Sequence, residues 1–226
     1  MYRYQILIEY IGTNFIGWQI QSKGKSIQKL AQTKLAKLLN EKINLVGSGR
    51  TDSGVHAIEQ SAHFDCKKEI QNLDKFLKSI NYFLNDKEIS IINIKKRNLN
   101  FHARFSAKQR IYKYIIFNRL SRPSIDKERG WHIIKKLNIH LMKKGAKKLL
   151  GTKDFSTFRA SSCNAKSSIR TMESIKIKSF KGRIEIKFKS QSFLQQQVRS
   201  MVGCLKYLAE KKWDLKKFEL IFKSKK

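Results

Sequence analysis

Apolar residues recur at two different spacings along this chain, and the order of the two spacings limits the folds that it can adopt. A spacing of two predicts a strand with one buried face, whereas a spacing of three and four predicts a helix with an apolar stripe. The first spacing occurs over residues 4–10, and the second occurs over residues 27–39, behind the capping candidate Ser26. Strand and helix patterns then alternate through both halves of the chain, which predicts an α+β protein.

The other predicted elements have the same two patterns. We predict strands at residues 43–46, up to about 64, 89–94, 110–118, 175–178 and 184–188, and helices at 73–84, 137–150, 198–208 and from 214 onward. Lys181-Gly182 lies between the last two strands and favours a hairpin turn, whereas residues 120–131 form a connection. A boundary near Phe105 gives an N-terminal α/β half of residues 1–105 and a C-terminal α/β half of residues 106–226.

The chain of 226 residues has a formal net charge of +32, from 49 Lys and Arg against 17 Asp and Glu. A globular protein this basic repels itself unless a polyanion neutralises it, and RNA or DNA is the usual partner. Abundant lysine, isoleucine and asparagine are also typical of an AT-rich genome. The charge therefore favours a nucleic-acid partner without establishing one.

Several classes of protein are disfavoured by the sequence. The first residues lack the apolar core of a signal peptide, and no apolar run approaches the roughly 20 residues of a membrane helix. The three cysteines are far apart, so we expect buried thiols in a reducing cytoplasm and no metal site. We find no cofactor motif, and we find no cluster of carboxylates of the kind that a two-metal nuclease needs.

The loop of residues 47–54 is the most informative segment, since three of its eight residues are glycines. Glycines allow a tight backbone turn and the close approach of a ligand. Between them lie Arg50, Thr51 and Asp52, and an arginine near an aspartate favours the ionised carboxylate that a nucleophile or a base requires. Aspartate in such a loop is also typical of an Asx turn or a helix cap, and spacing alone favours that structural interpretation.

Residues 49–57 resemble the Gly-Arg-Thr-Asp-Ala-Gly-Val-His signature of the TruA family of tRNA pseudouridine synthases, with Ser53 in place of the family's alanine. Five further segments resemble motifs of the same family, in the family's order: residues 10–19, 101–107, 110–114, 154–159 and 193–203. The matching segments are spread over nearly the whole chain.

This resemblance implies a fold and an activity. The implied fold has two α/β halves with mixed, mainly antiparallel sheets flanked by helices, and an active-site cleft between them. The implied activity is the isomerisation of uridine to pseudouridine at positions 38–40, in the anticodon stem-loop of tRNA. Members of the family act as homodimers, and we expect a cytoplasmic enzyme that uses no cofactor and no metal.

The resemblance also implies roles for single residues. Asp52 is the catalytic residue, which either attacks the sugar C1′ as a nucleophile or removes a sugar proton to give a glycal. Arg50 fills the space that the flipped nucleotide leaves, Tyr112 stacks on the target uracil, and Arg199 pairs with Asp52 and keeps it ionised. Arg110 is a further candidate for binding the substrate, through a phosphate group.

Ordinary structural interpretations remain for these and neighbouring residues. Tyr112 lies in an alternating strand, where tyrosine is common as a core residue, and Arg199 could be a plain surface charge. For His56 and His102 we favour hydrogen bonding within loops over a general-base role. Trp18 fits either packing or stacking at the surface.

The sequence departs from the family pattern at three places. Ile11 replaces the usual aspartate after Tyr10, and Gln195-Gln196 replace the histidine or arginine that is often found before the Val-Arg pair, which removes possible contacts to RNA. The family's usual final strand, Ala-x-Gly-Leu-x-Leu, does not follow the last helix, so we expect the second half to lack it. These departures keep open a second hypothesis, a non-catalytic tRNA-binding or tRNA-folding protein that retains the fold.

Overall fold

The alternating residues near the start of the chain form the inner strand of a sheet in the computed structural model, which describes residues 1–85 and 87–224. Strands β1 (Tyr2–Tyr10), β2 (Val46–Gly47), β3 (Ala57–Cys66) and β4 (Ile89–Arg97) pair antiparallel in the order β2-β3-β1-β4. This sheet belongs to a first unit, Met1–Ala107, and a second unit comprises Lys108–Lys226.

Two helices, α1 (Ile27–Leu39) and α2 (Leu73–Leu84), pack against the sheet of the first unit. Helix α1 begins where the sequence predicts, because the Ser26 side chain accepts the backbone N–H of Lys29 at 3.3 Å. The alternate β1 side chains that face the helices are buried, and burying each one fully contributes about 1.5–3 kcal/mol.

The strand predicted at residues 43–46 is wrong over most of its length, since only Val46 and Gly47 pair with β3. The physical reason lies in two glutamine side chains of α1. Gln32 Oε1 accepts the backbone N–H of Leu45 at 3.0 Å, and Gln28 Nε2 donates to the Leu45 carbonyl at 2.8 Å. These bonds occupy the backbone groups that a neighbouring strand would otherwise use.

The second unit has a larger sheet. Its strands are β5 (Arg110–Phe117), β6 (Trp131–His132), β7 (Gly151–Asp154), β8 (Ile169–Phe180) and β9 (Arg183–Ser190), in the order β6-β5-β9-β8-β7. Only the β5–β6 pair is parallel among the pairs described. The predicted α+β class with mixed, mainly antiparallel sheets is therefore confirmed.

Three helices of this unit, α3 (Ile139–Lys148), α4 (Gln197–Ala209) and α5 (Leu215–Lys223), share an apolar core with the sheet. A single 3₁₀ turn, Ser156–Phe158, adds Phe158 to that core. None of the helices in the described residues has the length and apolar character needed to cross a bilayer.

Local signals in the second unit predicted its turns and helix starts better than its strand lengths. The hairpin between β8 and β9 is confirmed, with positive φ at Lys181 (40°) and Gly182 (75°), as a type I′ turn requires. The last helix is also confirmed, because Asp214 accepts the N–H of Lys217 at 2.7 Å. Strand β8 begins at Ile169, earlier than predicted, and the sequence analysis missed β6 and β7.

Candidate active site

The loop that contains Asp52 leaves β2 and returns into β3, and bonds to β3 fix its first residues. The backbone N–H of Ser48 donates to the Ser61 carbonyl at 2.8 Å, and Gln60 Nε2 donates to the Gly49 carbonyl at 2.6 Å. The sheet therefore determines where the loop leaves the strand.

Thr51, the residue before Asp52, is held from both its side chain and its backbone. Its hydroxyl lies 2.8 Å from the hydroxyl of Tyr10, whose ring is almost fully buried at the end of β1. Its carbonyl accepts the backbone N–H of Trp18 at 3.0 Å. One contact from the last residue of β1 and one from the segment after β1 thus limit the movement of the backbone next to the half-buried Asp52.

The residues after Asp52 are held by the same segment. Ser53 Oγ donates to the Phe15 carbonyl at 3.1 Å, and His56 Nδ1 accepts the backbone N–H of Gly12 at 3.0 Å. Our prediction that His56 serves loop hydrogen bonding is confirmed. Ser53 supplies a hydrogen bond that the alanine of the signature it resembles cannot form.

Two glycines of the segment after β1 allow this close approach. A Cβ at Gly12 would lie 2.0 Å from the Val55 carbonyl oxygen, and one at Gly17 would lie 2.6 Å from the Thr51 carbonyl oxygen. Gly17 also has a φ of +111°, which side chains strongly disfavour. Trp18 is almost fully buried and lies against Gly47, so its role in this structure is packing.

Arg50 and Asp52 are both present on the loop, but they do not form an ion pair within 4.0 Å of each other. Arg50 is exposed, and Asp52 is half-buried after the bonded residue Thr51. The proximity of the two residues in sequence therefore does not give a direct ion pair between them.

A buried histidine lies beneath the base of this loop. His63 pairs with Val46 across β3 and β2, and its Nδ1 accepts the N–H of Ala103 at 3.1 Å. Burial, reinforced by the nearby charges of Arg3 and His102, lowers the pKa of His63 to about 4. The ring is therefore neutral at physiological pH, and it joins the root of the loop to the segment of residues 101–107. The sequence analysis did not identify it.

The site residues predicted in the second unit lie on β5 and on α4. Arg110 and Tyr112 are two residues apart on β5, so their side chains lie on the same face of the sheet. The Tyr112 ring is half-buried and meets the Phe193 ring edge to face, with centroids 5.0 Å apart. Arg110 Nη1 donates to the Gln191 carbonyl. Both residues are thus held by the segment that follows β9.

Arg199 lies in the first turn of α4, and a buried glutamine fixes the start of that helix. Gln197 Oε1 accepts the N–H of Leu194 at 2.8 Å. The Arg199 side chain is exposed, yet its charge opposes the rise that burial causes in the pKa of Tyr114. Tyr114 lies two residues beyond Tyr112, so Arg199 is near the face of β5 that carries the predicted uracil-stacking residue.

The sequence analysis identified the candidate site side chains but missed the residues whose hydrogen bonds and packing keep them in place. Gln197 was missed because a buried glutamine gives no periodic signal, and its place in the motif of residues 193–203 was the signal that could have indicated it. The one available signal for Tyr10, Gly12 and Gly17 was their place in the motif of residues 10–19. For His102 the predicted loop hydrogen bonding is confirmed, since its Nδ1 accepts the N–H of Arg104 at 3.2 Å.

Comparison with known proteins finds a matching family model and relatives of high sequence identity. A family model described as tRNA pseudouridine synthase matches residues 6–106 and 146–226. A tRNA pseudouridine synthase A of Pelagibacter ubique (strain HTCC1062) is 81% identical over 226 residues, which is 100% of this chain and 92% of that protein.

More distant relatives carry the same name. The protein of Paramagnetospirillum magneticum (strain ATCC 700264 / AMB-1) is 41% identical over 94% of this chain and 83% of its own length. That of Anaplasma phagocytophilum (strain HZ) is 42% identical over 89% of this chain and 82% of its own length. With both units matched and all three relatives aligned over most of their length, the chain belongs to the tRNA pseudouridine synthase family.

Proposed function

We propose that this chain isomerises uridine to pseudouridine at positions 38–40, in the anticodon stem-loop of tRNA. The observation that carries the proposal is the loop of Asp52, which combines the family signature with contacts from the segment after β1 on both sides of the aspartate. A loop fixed in this way holds one carboxylate in a defined position, and a reaction at a single sugar carbon needs such a position.

The proposed reaction balances without an oxidant, a reductant or an energy source. The bond from the sugar C1′ to N1 of uracil breaks, the base turns over, and C1′ bonds to C5. The proton on C5 is lost and N1 gains a proton, so substrate and product are isomers. Asp52 either forms a covalent bond to C1′ or removes a sugar proton, and both routes need it ionised.

Arg199 is the cation that we assign to Asp52 in the working enzyme. A neighbouring cation favours the ionised form of a carboxylate, and a protonated carboxyl group is a poor nucleophile. The first turn of α4 fixes the backbone of Arg199 through Gln197, while the guanidinium is exposed and offers planar donors that suit a carboxylate.

Tyr112 is the residue that we assign to the flipped uracil. A uridine in a stem must leave its stack before an enzyme can reach C1′. An aromatic ring that replaces the lost neighbour recovers about 1–3 kcal/mol. The contact with Phe193 orients the Tyr112 ring in advance, which reduces the entropy lost when the base binds.

Arg50 and Arg110 have proposed roles toward the RNA backbone. Arg50 is exposed on the loop and fills the space that the flipped nucleotide leaves, while Arg110 binds a phosphate. We further propose a cytoplasmic homodimer that uses neither cofactor nor metal. The chemistry supports the last point, because the isomerisation changes no oxidation state.

Release of tritium from tRNA labelled at C5 of uridine tests the activity, since each turnover frees one C5 hydrogen. The wild-type chain is expected to release tritium, and Asp52→Asn is expected to lower the rate at least about 10³-fold. Asp74→Asn is a matched control, because Asp74 is an exposed carboxylate in the first turn of α2. Equal rates for the wild type and Asp52→Asn would remove Asp52 from the chemistry.

The alternative is a tRNA-binding or tRNA-folding protein without isomerase activity, which the net charge of +32 favours. It predicts tRNA binding that weakens steeply with salt, together with no tritium release by the wild type. The same assay therefore separates the two functions.

A further inference from the structure

The sheet of the second unit has one face that its helices do not use. Residues paired directly across neighbouring strands point to the same face of a sheet. Tyr112, Phe188 and Ile175 form one such set, and they face the core shared with α3, α4 and α5. The next set along the strands faces the other way, and we call that side the outer face.

Three lysines lie side by side on the outer face. Lys113 of β5 pairs with Lys187 of β9, and Lys187 pairs with Lys176 of β8. All three side chains are exposed. We call these three residues the lysine row. Directly opposed side chains in antiparallel strands have Cβ atoms about 4.5–5.5 Å apart, and like charges at such positions destabilise the sheet.

Few carboxylates offset the charge of the lysine row. Glu185 lies 4.0 Å from Lys113, but it also forms a closer ion pair with Arg183 at 2.9 Å. Within residues 1–85 and 87–224, no carboxylate lies within 4.0 Å of Lys176 or Lys187. The row is therefore a line of positive charge with one shared and distant counter-charge.

We propose that the lysine row binds the phosphate backbone of the tRNA substrate, a proposal that rests on the proposed function. A chain of phosphates supplies successive negative charges that can face three neighbouring ammonium groups. A second copy of this chain has the same formal net charge of +32, so charge complementarity disfavours that occupant. Lysine suits the role, because its flexible ammonium neutralises a phosphate without a fixed geometry.

A salt titration of tRNA binding tests this surface in the full-length chain. The row variant is Lys113→Gln, Lys176→Gln and Lys187→Gln combined. The control variant combines Lys143→Gln, Lys144→Gln and Lys147→Gln, which removes the same charge from exposed positions of α3 in the same unit. Fluorescence anisotropy with unmodified tRNA gives the binding constant at each salt concentration.

The row variant is expected to bind at least about tenfold more weakly at low salt, with a slope of log K against log salt shallower by up to about 2.7. That value corresponds to about 0.9 for each of three phosphates. The control variant is expected to keep the wild-type slope. Equal slopes for all three proteins, or equal losses in the two variants, would overturn the proposal.

Two further measurements distinguish the loss of this binding surface from misfolding of the row variant and from a failure of the proposed function. The melting temperature of the row variant is expected to equal or exceed that of the wild type, because a like-charge row has been removed. If the slopes of the wild type and the row variant differ but the wild type releases no tritium, the proposed activity is refuted and the proposed tRNA-binding surface is kept. Tritium release with equal slopes would refute the surface alone.

Discussion

The Asp52 loop in the first unit and the surface of Tyr112 and Arg199 in the second are built in different ways. The loop is irregular and depends on hydrogen bonds from Tyr10, at the end of β1, and from Trp18 and other residues of the segment after β1. Tyr112 and Arg199 project from a strand and a helix, whose backbones are fixed by their own hydrogen bonds. Substitutions near Asp52 should therefore disturb a backbone, whereas those in the second unit should remove only a side chain.

Tyr112→Phe should lower the reaction rate by removing one group from the second unit, without moving its backbone. Phenylalanine keeps the ring and its contact with Phe193 but removes the hydroxyl, which we propose assists the loss of the C5 proton. A general acid or base contributes about 10²–10⁴-fold, so single-turnover rates should fall within that range while tRNA affinity is unchanged. An unchanged rate would limit Tyr112 to stacking.

Gly12→Ala probes the loop through its backbone. The added Cβ would meet the Val55 carbonyl 2.0 Å away, so the loop must move. We expect a rate about 10²-fold lower and a loss of about 3 kcal/mol in the free energy of unfolding, measured by urea titration. Gly203→Ala in α4 is the matched control, since its Cβ would meet nothing within 4 Å.

Gly203→Ala should leave the stability equal or raise it by up to about 1 kcal/mol, because alanine favours a helix. If Gly12→Ala matched this control in both rate and stability, the contrast between an irregular, externally held loop and a self-supporting helix would fail.

The pH dependence of stability gives a smaller effect that is specific to the first unit. The depressed pKa of His63, about 4 against 6.5 when unfolded, means that the unfolded chain binds more protons between these values. Stability should therefore fall as the pH drops from 6.5 to 4, by at most about 3 kcal/mol. Without the nearby Asp65, which favours protonation of His63, the pKa of His63 would be lower still and the loss larger.

Urea titrations at pH 7, 6, 5 and 4.5 measure this change, and His63→Gln should flatten it. A curve for His63→Gln as steep as that of the wild type would assign the pH dependence to other groups.

Sequence analysis succeeded where the deciding interactions are local and failed where they are distant. The start of α1 depends on Ser26 and Lys29, three residues apart, and was predicted. The hydrogen bond of Tyr10 with Thr51 joins residues 41 apart, so no local pattern could indicate it. The same holds for Gln28, which binds the carbonyl of Leu45 and replaces a predicted strand.

The candidate site shows the same difference between local interactions, which the sequence indicates, and distant ones, which it does not. The motif of residues 49–57 indicated Asp52 as the candidate catalytic residue. The nearness of Arg50 in sequence led us to expect that its charge acts on Asp52, but the two side chains form no ion pair within 4.0 Å. The contact of Tyr112 with Phe193 depends on where the segment after β9 lies, which strand periodicity does not specify.

The most direct test of the account is a map of pseudouridine in tRNA from cells that lack this gene and carry either the wild-type gene or Asp52→Asn. The account predicts pseudouridine at positions 38–40 with the wild-type gene, and unmodified uridine with Asp52→Asn or with no gene. Pseudouridine at these positions in all three strains, or in none of them, would contradict it.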